Sequence, residues 1–337
     1  MATIKEVSCR ANVSPATVSR VLTGNASVAD PTRARILSAM QELGYTPNMF
    51  ARGLVTNRSH SIGVVVNDLS SPYYGSLLGG IESAIEEAGM HLIVSSGHAR
   101  RDSERQAVEL LQRRHSDALI LHLEEALDDE IVCWAKLGTP LVLVGRYVAE
   151  LEHASVHLDN ELGGYMATKH LIKHGHTRVA HITGPLKLYD SRARLAGYRR
   201  ALAEAGIPFD EQLVVEGDFQ EEGGQLAVGR LLLREKGITA IFAANDQTAA
   251  GVLRALREGD VRVPDDISLI GYDDIIFARY LQPELTTVRQ PLEEMGRAAA
   301  KLVLAALFGN SGNDSLKEVP RRFEPTLIQR ASVADAT

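Results

Sequence analysis

Several polar and aromatic residues of this chain fall just beyond short apolar runs, where a ligand could reach them. Asp68 follows Ile62–Val66, and Tyr73 and Tyr74 lie in the next loop. Arg146 follows Leu141–Gly145, and Arg194 lies on the helix expected after Val179–Thr183. Phe219 follows Leu213–Gly217, Asn245-Asp246 follow Ala240–Ala244, and Asp273-Asp274 follow Ile267–Tyr272. Carboxylates, amides and a guanidinium aim donors and acceptors at hydroxyl groups, while aromatic rings cover C–H faces. The chemistry is the binding of a small polyhydroxylated molecule. Individual members also have plainer readings: Asp246 as a helix cap, Asp274 as a loop carboxylate outside any cleft, and Tyr73 or Tyr74 as core.

Bond-making chemistry has little support. No G-x-G-x-x-G follows the first strand, no G-x-x-x-x-G-K-[ST] occurs, and there is no G-x-S-x-G nucleophile elbow. The eleven histidines are scattered; His170, His174 and His176 read as a helix end followed by a turn, not a metal site. Cys9 and Cys133 are far apart without metal-ligand spacing and read as reduced thiols with packing roles. The expectation is a protein that is not an enzyme and needs no metal or cofactor.

Strands Ile62–Val66, Leu92–Ser95, Ala118–Leu121 and Leu141–Val144 alternate with helices at about 75–88, 102–114 and 128–137. A second round has strands Val179–Thr183, Leu213–Glu216, Ala240–Ala243 and Ile267–Ile270, with helices near 191–205, 222–236 and 247–258. Such alternation predicts an α/β protein of parallel doubly wound sheets, and two rounds predict two lobes. Ligands of these sheets bind beyond the carboxyl ends of the strands, so a cleft between the lobes is the expected site.

The chain has 337 residues, 45% hydrophobic and 23% charged, enough for two or three domains. No apolar run approaches the roughly 20 residues of a membrane span, and the first residues lack a signal-peptide apolar core. A cytoplasmic protein without membrane association is expected. Residues 1–60 hold seven basic and three acidic residues, +4, which leaves −11 for the remainder of a chain whose net charge is −7. A basic head on an acidic body suits a polyanion.

That head reads as three short helices. Thr3-Ile4-Lys5-Glu6 is a capping box, followed by Val7 and Ala11 on the face of Ile4, with a stop near Asn12. Ser14-Pro15 restarts a helix with a cap and a first-turn proline, and Val18, Val21 and Leu22 form its buried face. Asp30-Pro31 opens the third, with Ile36, Met40 and Leu43 inward and Gly44 at its end. The first two make a helix-turn-helix. The start of its second helix would enter the major groove, where Arg20 can bond guanine, the hydroxyls of Thr17 and Ser19 can reach phosphates, and Pro15 and Ala16 can meet only apolar features. Pro47-Asn48-Met49-Phe50-Ala51-Arg52-Gly53-Leu54 can form a helix too short to stand alone in water; the polar run after it reads as linker.

Thr3-Ile4-Lys5-Glu6-Val7, Val13-Ser14-x-Ala16-Thr17-Val18-Ser19-Arg20-Val21-Leu22 and Leu43-Gly44-Tyr45-x-Pro47-Asn48-x-x-Ala51-Arg52-x-Leu54 resemble the lactose-repressor (LacI/GalR) family, nearest to galactose-repressor-type members. The likeness runs over almost the whole chain; Ser8 and Asn12 stand where the family usually has Ala and Gly. It implies a helix-turn-helix DNA-binding domain at 1–46, a hinge helix and linker at 47–60, a periplasmic-binding-protein-like core at 61–330, and a tail at 331–337. The first lobe would hold about 61–160 and 291–320, the second about 161–290 and 321–330, with crossings near Asn160, Gln290 and Pro320. DNA contacts would come from Thr3, Ser14, Pro15, Ala16, Thr17, Ser19 and Arg20 in the head and from Asn48, Ala51 and Leu54 in the hinge, with Leu54 as a minor-groove wedge. The motifs Asn245-Asp246, Gly271-Tyr272-Asp273-Asp274 and Arg194-Leu195-Ala196-Gly197 mark ligand-holding positions, and Phe219 would stack on the ligand.

The resemblance therefore implies a homodimer on pseudo-palindromic double-stranded operator DNA, most simply a repressor, with operator affinity set by a sugar through ordering of the hinge. A purine, nucleoside or phosphorylated metabolite is the alternative effector. No long heptad tail follows Arg330, so a dimer is expected over a coiled-coil tetramer.

Overall fold

The computed structural model describes residues 2–22, 28–45, 58–309 and 318–336. The chain divides into two units, 1–61 with 115–117, and 62–114 with 118–337.

The first unit holds three helices. In α1 (Ile4–Arg10) the backbone N–H of Glu6 donates to Thr3 Oγ1 at 3.3 Å, and the Thr3 N–H donates back to Glu6 Oε2 at 2.7 Å. Asn12 turns the chain at φ 51°, a conformation asparagine tolerates better than most residues. Ser14 Oγ accepts from the Thr17 N–H at 3.2 Å and so caps α2 (Pro15–Leu22). In α3 (Asp30–Glu42) the buried face is Ile36 and Ala39, which join Val7, Ala11, Val18, Val21 and Val28 in one cluster. Met40 lies at the flank of that cluster, and Leu43, expected inside, is exposed. Leu43 sits past the last helical turn, where the chain leaves the packed face before Gly44.

The second unit contains two parallel sheets. One is built from β1 (Ser61–Val66), β2 (His91–Ser96), β3 (Ala118–Leu121), β4 (Leu141–Val144), β5 (Ser155–Leu158) and β11 (Arg322–Phe323), in the order β11-β5-β4-β3-β1-β2. The other has β6 (Val179–Thr183), β7 (Val214–Glu216), β8 (Ala240–Ala243), β9 (Ser268–Asp273), β10 (Thr286–Arg289) and β12 (Thr326–Ile328), in the order β12-β10-β9-β8-β6-β7. In the second sheet β12 runs antiparallel to β10, which is itself parallel to β9. Helices α4 (Pro72–Glu87), α5 (Arg101–Arg113), α6 (Asp128–Lys136) and α11 (Leu292–Phe308) belong with the first sheet. Helices α7 (Asn160–Lys173), α8 (Tyr189–Glu204), α9 (Glu221–Arg234) and α10 (Asp246–Glu258) belong with the second.

The chain passes between the lobes after β5, after β10 and after β11. The third passage falls between Phe323 and Thr326, later than Pro320. Its delay comes from β11, an added edge strand of the first lobe, where His157 N donates to Arg321 O and Asp159 N to Phe323 O. Residues 331–336 are a strap, not a loose tail. Leu269 N donates to Ser332 O, Thr286 N donates to Ser332 Oγ, and Ala336 N donates to His174 O. The packing role expected of the two cysteines is absent, since both are exposed and free.

Helix α7 has a weak signature in the sequence. Gly163 and Gly164 in its middle weaken the helical signal, yet they are what the packing demands. A Cβ on Gly164 would strike the backbone carbonyl of Arg194, and one on Gly197 would strike Glu161 O. The α7 and α8 backbones therefore meet closely, which fixes the height of Arg194 above the sheet.

Candidate functional site

A cavity of about 400 Å³ opens between the lobes beyond the carboxyl ends of their strands. The first lobe presents Asp68 from the loop after β1 and Tyr73 and Tyr74 from the start of α4. Asp68 Oδ1 accepts from the N–H and the hydroxyl of Ser70, at 2.8 and 2.7 Å, which holds the loop in a turn. Tyr73 and Tyr74 meet edge to face with centroids 4.9 Å apart, and Tyr74 packs in the same way on His122 at 5.1 Å. Tyr74 is also part of the hydrophobic core, so it is a core residue with one edge on the cavity.

The second lobe supplies Arg194, Phe219, Asn245 and Asp273. Arg194 is buried. Its Nε donates to Asn160 Oδ1 at 2.8 Å and its Nη1 to Ala244 O at 2.6 Å, and its guanidinium lies 3.8 Å over the Tyr272 ring. Nη2 stands 4.0 Å from Asp273 Oδ1. Asp273 has φ 106° and accepts from Gln290 Nε2 at 2.6 Å; strained backbone of this kind collects at sites where a side chain must be aimed. Asn245, not Asp246, caps α10, accepting from Thr248 N at 2.9 Å, and its Nδ2 donates to Phe219 O at 3.1 Å. Phe219 has φ 66°, and its ring occupies the space that a Cβ on Gly184 would need.

Burial sets the protonation of this site. It pushes the Glu124 carboxyl up to about 7, although the nearby Asn67 amide pulls the other way. It pushes Asp273 up to about 6 against the opposing pull of Arg194 and Gln290, and it raises Asp190. His122 is driven down to about 4 by burial and is neutral at pH 7. The buried Asn67 amide has no well-formed hydrogen bond at either end, the condition of a polar group awaiting a partner. Among the described residues, Arg194 is the only Lys or Arg on a wall that also carries Asp68, Glu124, Asp190, Asp218 and Asp273. Such a wall favours hydroxyl donors and opposes phosphate.

In the head, Ser14, Pro15, Ala16 and Arg20 are exposed, and Thr17 and Ser19 are half-buried. They lie at or within the first turns of α2, whose buried residues are Val18 and Val21. Thr3 is exposed and engaged in its capping box. Asn48, Ala51 and Leu54 lie outside the described residues.

Residues 3–48 match the model of bacterial regulatory proteins of the lacI family, and residues 168–333 match a periplasmic binding protein-like domain. The chain is 39% identical to the HTH-type transcriptional regulator GalR of Salmonella typhimurium over 100% of its own length and 97% of that protein. It belongs to the LacI family. Among solved structures it resembles a transcriptional regulator CelR–cellobiose complex (34% identity, TM-score 0.72, 98% of this chain and 100% of that one). It also resembles the lac repressor dimer bound to operator and the anti-inducer ONPF (27% identity, TM-score 0.85, 99% of each). As a LacI-family member the chain is a DNA-binding transcriptional regulator, not an enzyme, with a core that takes a small effector. No helix among the described residues is long and apolar enough to cross a membrane.

Of the effector residues expected for this LacI-family chain, Asp68, Tyr73, Tyr74, Arg194, Phe219, Asn245 and Asp273 line the one cavity. Arg146 does not. Its guanidinium is turned to Ala126 O at 2.7 Å and Asp128 Oδ1 at 2.6 Å, on an adjoining chamber. Asp246 is structural, accepting from Ile275 N and Thr287 Oγ1, and Asp274 is held outside the cavity by Arg289 and Arg330. Sequence reasoning missed His122, Glu124 and Asp190. His122 and Glu124 follow β3 by the same rule that found Asp68, and Asp190 lies one turn before Arg194 on α8. Among the described residues no cluster could hold a metal ion.

Proposed function

We propose that this regulator acts in the cytoplasm as a homodimeric repressor of a pseudo-palindromic operator, and that a small sugar in the interlobe cavity sets its operator affinity. The observation that carries the sugar is the pairing of Arg194 and Asp273, from α8 and β9, in a buried cavity otherwise rich in acceptors and flanked by Phe219. Planar groups of both signs at one point can hold a diol, and an aromatic face beside them suits a pyranose ring. The acidic wall argues against a phosphorylated ligand. The dimer and operator are supported by the lac repressor complex, and the sugar by the CelR–cellobiose complex. Two heads related by a two-fold axis match a two-fold operator.

The test is fluorescence anisotropy of a labelled palindromic duplex with a central CG step, against a scrambled duplex, with galactose, other monosaccharides, a purine and a sugar phosphate added in turn. Salt-sensitive binding to the palindrome that one neutral sugar alters supports the proposal. Modulation by the purine or the sugar phosphate alone removes the sugar and keeps the regulator.

A further inference from the structure

We infer that the cleft carries a second saccharide subsite, outside the main cavity, that takes the next ring of a disaccharide or glycoside. The inference rests on the main cavity being a sugar site. A second chamber of about 200 Å³ adjoins the first, and His122, Glu124, Asp190 and Phe219 line both. The chamber's own walls come from both lobes. Arg146 and Tyr147 stand on the loop after β4, Lys187 just before α8, and Tyr189 and Arg192 on its first turn.

The chemistry of these walls suits an uncharged ring. Tyr147 is 43% exposed and Tyr189 59% exposed, both beside a concavity. Exposed aromatic faces gain by covering the C–H side of a ring while their hydroxyls stay wet. Tyr147 is braced edge to face on His157, with centroids 5.2 Å apart. The three cations already have protein partners. Arg146 is on Ala126 O and Asp128, Lys187 Nζ is 2.6 Å from Glu125 Oε1, and Arg192 Nη1 donates to the carbonyls of Leu186 and Lys187. They neutralise the acids around them and leave no concentrated positive charge for a phosphate. Glu124 and Asp190, on the shared wall, offer acceptors to hydroxyls of either ring. The series of polar groups beyond strand ends thus continues past the first cavity, and Arg146 stands at this second position.

The experiment is isothermal titration calorimetry of the intact protein with galactose, glucose, lactose and cellobiose, repeated on Tyr147→Ala and Tyr189→Ala. At least one disaccharide should bind about tenfold more tightly than its parent monosaccharide. Either alanine variant should remove most of that gain and leave the monosaccharide Kd unchanged, which also certifies the fold. Monosaccharide binding with no gain from either disaccharide overturns the inference, and so does a gain that survives both substitutions. Binding of none of the four sugars removes the sugar reading itself and this subsite with it.

Discussion

Gln290 donates its side-chain amide to Oδ1 of Asp273 at 2.6 Å, so a residue on one passage between the lobes holds a carboxylate that lines the effector cavity. Asn160, at the start of the helix that follows the first passage, does the same for Arg194 at 2.8 Å. The two cavity groups held in this way stand 4.0 Å apart. A ligand that bonds both of them touches side chains tied to the segments that join the lobes.

Replacing Gln290 with leucine should weaken effector binding by about tenfold to a hundredfold, the cost of leaving a buried carboxylate without its donor. The amide helps to hold the Asp273 carboxyl down against burial, so without it that carboxyl should hold its proton to higher pH. Calorimetric titration of the identified sugar across pH checks both effects. An unchanged affinity and pH profile would mean that the contact is incidental.

Most strand ends and helices of the two lobes were legible because each is a dense apolar run flanked by turn residues. Ala118–Leu121, Leu141–Val144 and Ala240–Ala243 have the observed bounds. What escaped was short or disguised. β11 has two residues and β12 three, too few for any periodicity, and α7 hides behind its paired glycines. The site shows the same division. Asp68, Asn245 and Asp273 announce themselves at strand ends, whereas Arg146 satisfies that rule and faces a different chamber, because a strand end sets where a side chain starts and its partners set where it points.

Glu104 lies on α5 outside the cavity, yet its carboxylate accepts from the backbone N–H groups of Glu124, Glu125 and Ala126 at 2.8 to 3.2 Å. It shapes the loop that carries Glu124 and the carbonyl held by Arg146. Glu104→Gln keeps the volume but exchanges an acceptor-only group for one with a donating end. The expected cost is about 1.5–3 kcal/mol of stability, the range for hydrogen bonds to charged groups, together with a weaker effector Kd. Chemical denaturation with and without the sugar separates the two losses. A stable variant with normal sugar affinity would dismiss the positioning role.

Glu124 also makes stability depend on pH in a definite direction. Its carboxyl is pushed up to about 7 by burial, against 4.5 for an unperturbed glutamate. Between those values the folded protein keeps a proton that the unfolded chain has released, so the contribution is present at acid pH and lost as pH rises through 7. The lowered histidines, His122 and His181 among them, act oppositely at the acid end. Comparison with Glu124→Gln isolates the glutamate. The melting temperature of the parent minus that of the variant should fall from about pH 5 to about pH 8. A constant difference would show that Glu124 ionises normally in the fold.

The last prediction separates reading DNA from sensing the effector. Leu54 is the hinge residue that the family resemblance assigns to the minor groove, where an apolar wedge helps to bend the duplex. Arg194 is buried in the cavity wall with Asn160, Ala244 and Asp273 around it. Leu54→Ala should weaken operator binding by about tenfold or more, while sugar affinity measured without DNA stays as it was. Arg194→Lys cannot reproduce the forked contacts of the guanidinium. It should reduce sugar affinity by about a hundredfold, keep operator binding, and leave that binding insensitive to sugar. Because the coupling between two ligands is reciprocal, the factor by which sugar changes operator affinity in each variant must equal the factor by which operator changes its sugar affinity. Equal loss of both affinities in Leu54→Ala would refute the division of labour between hinge and cleft.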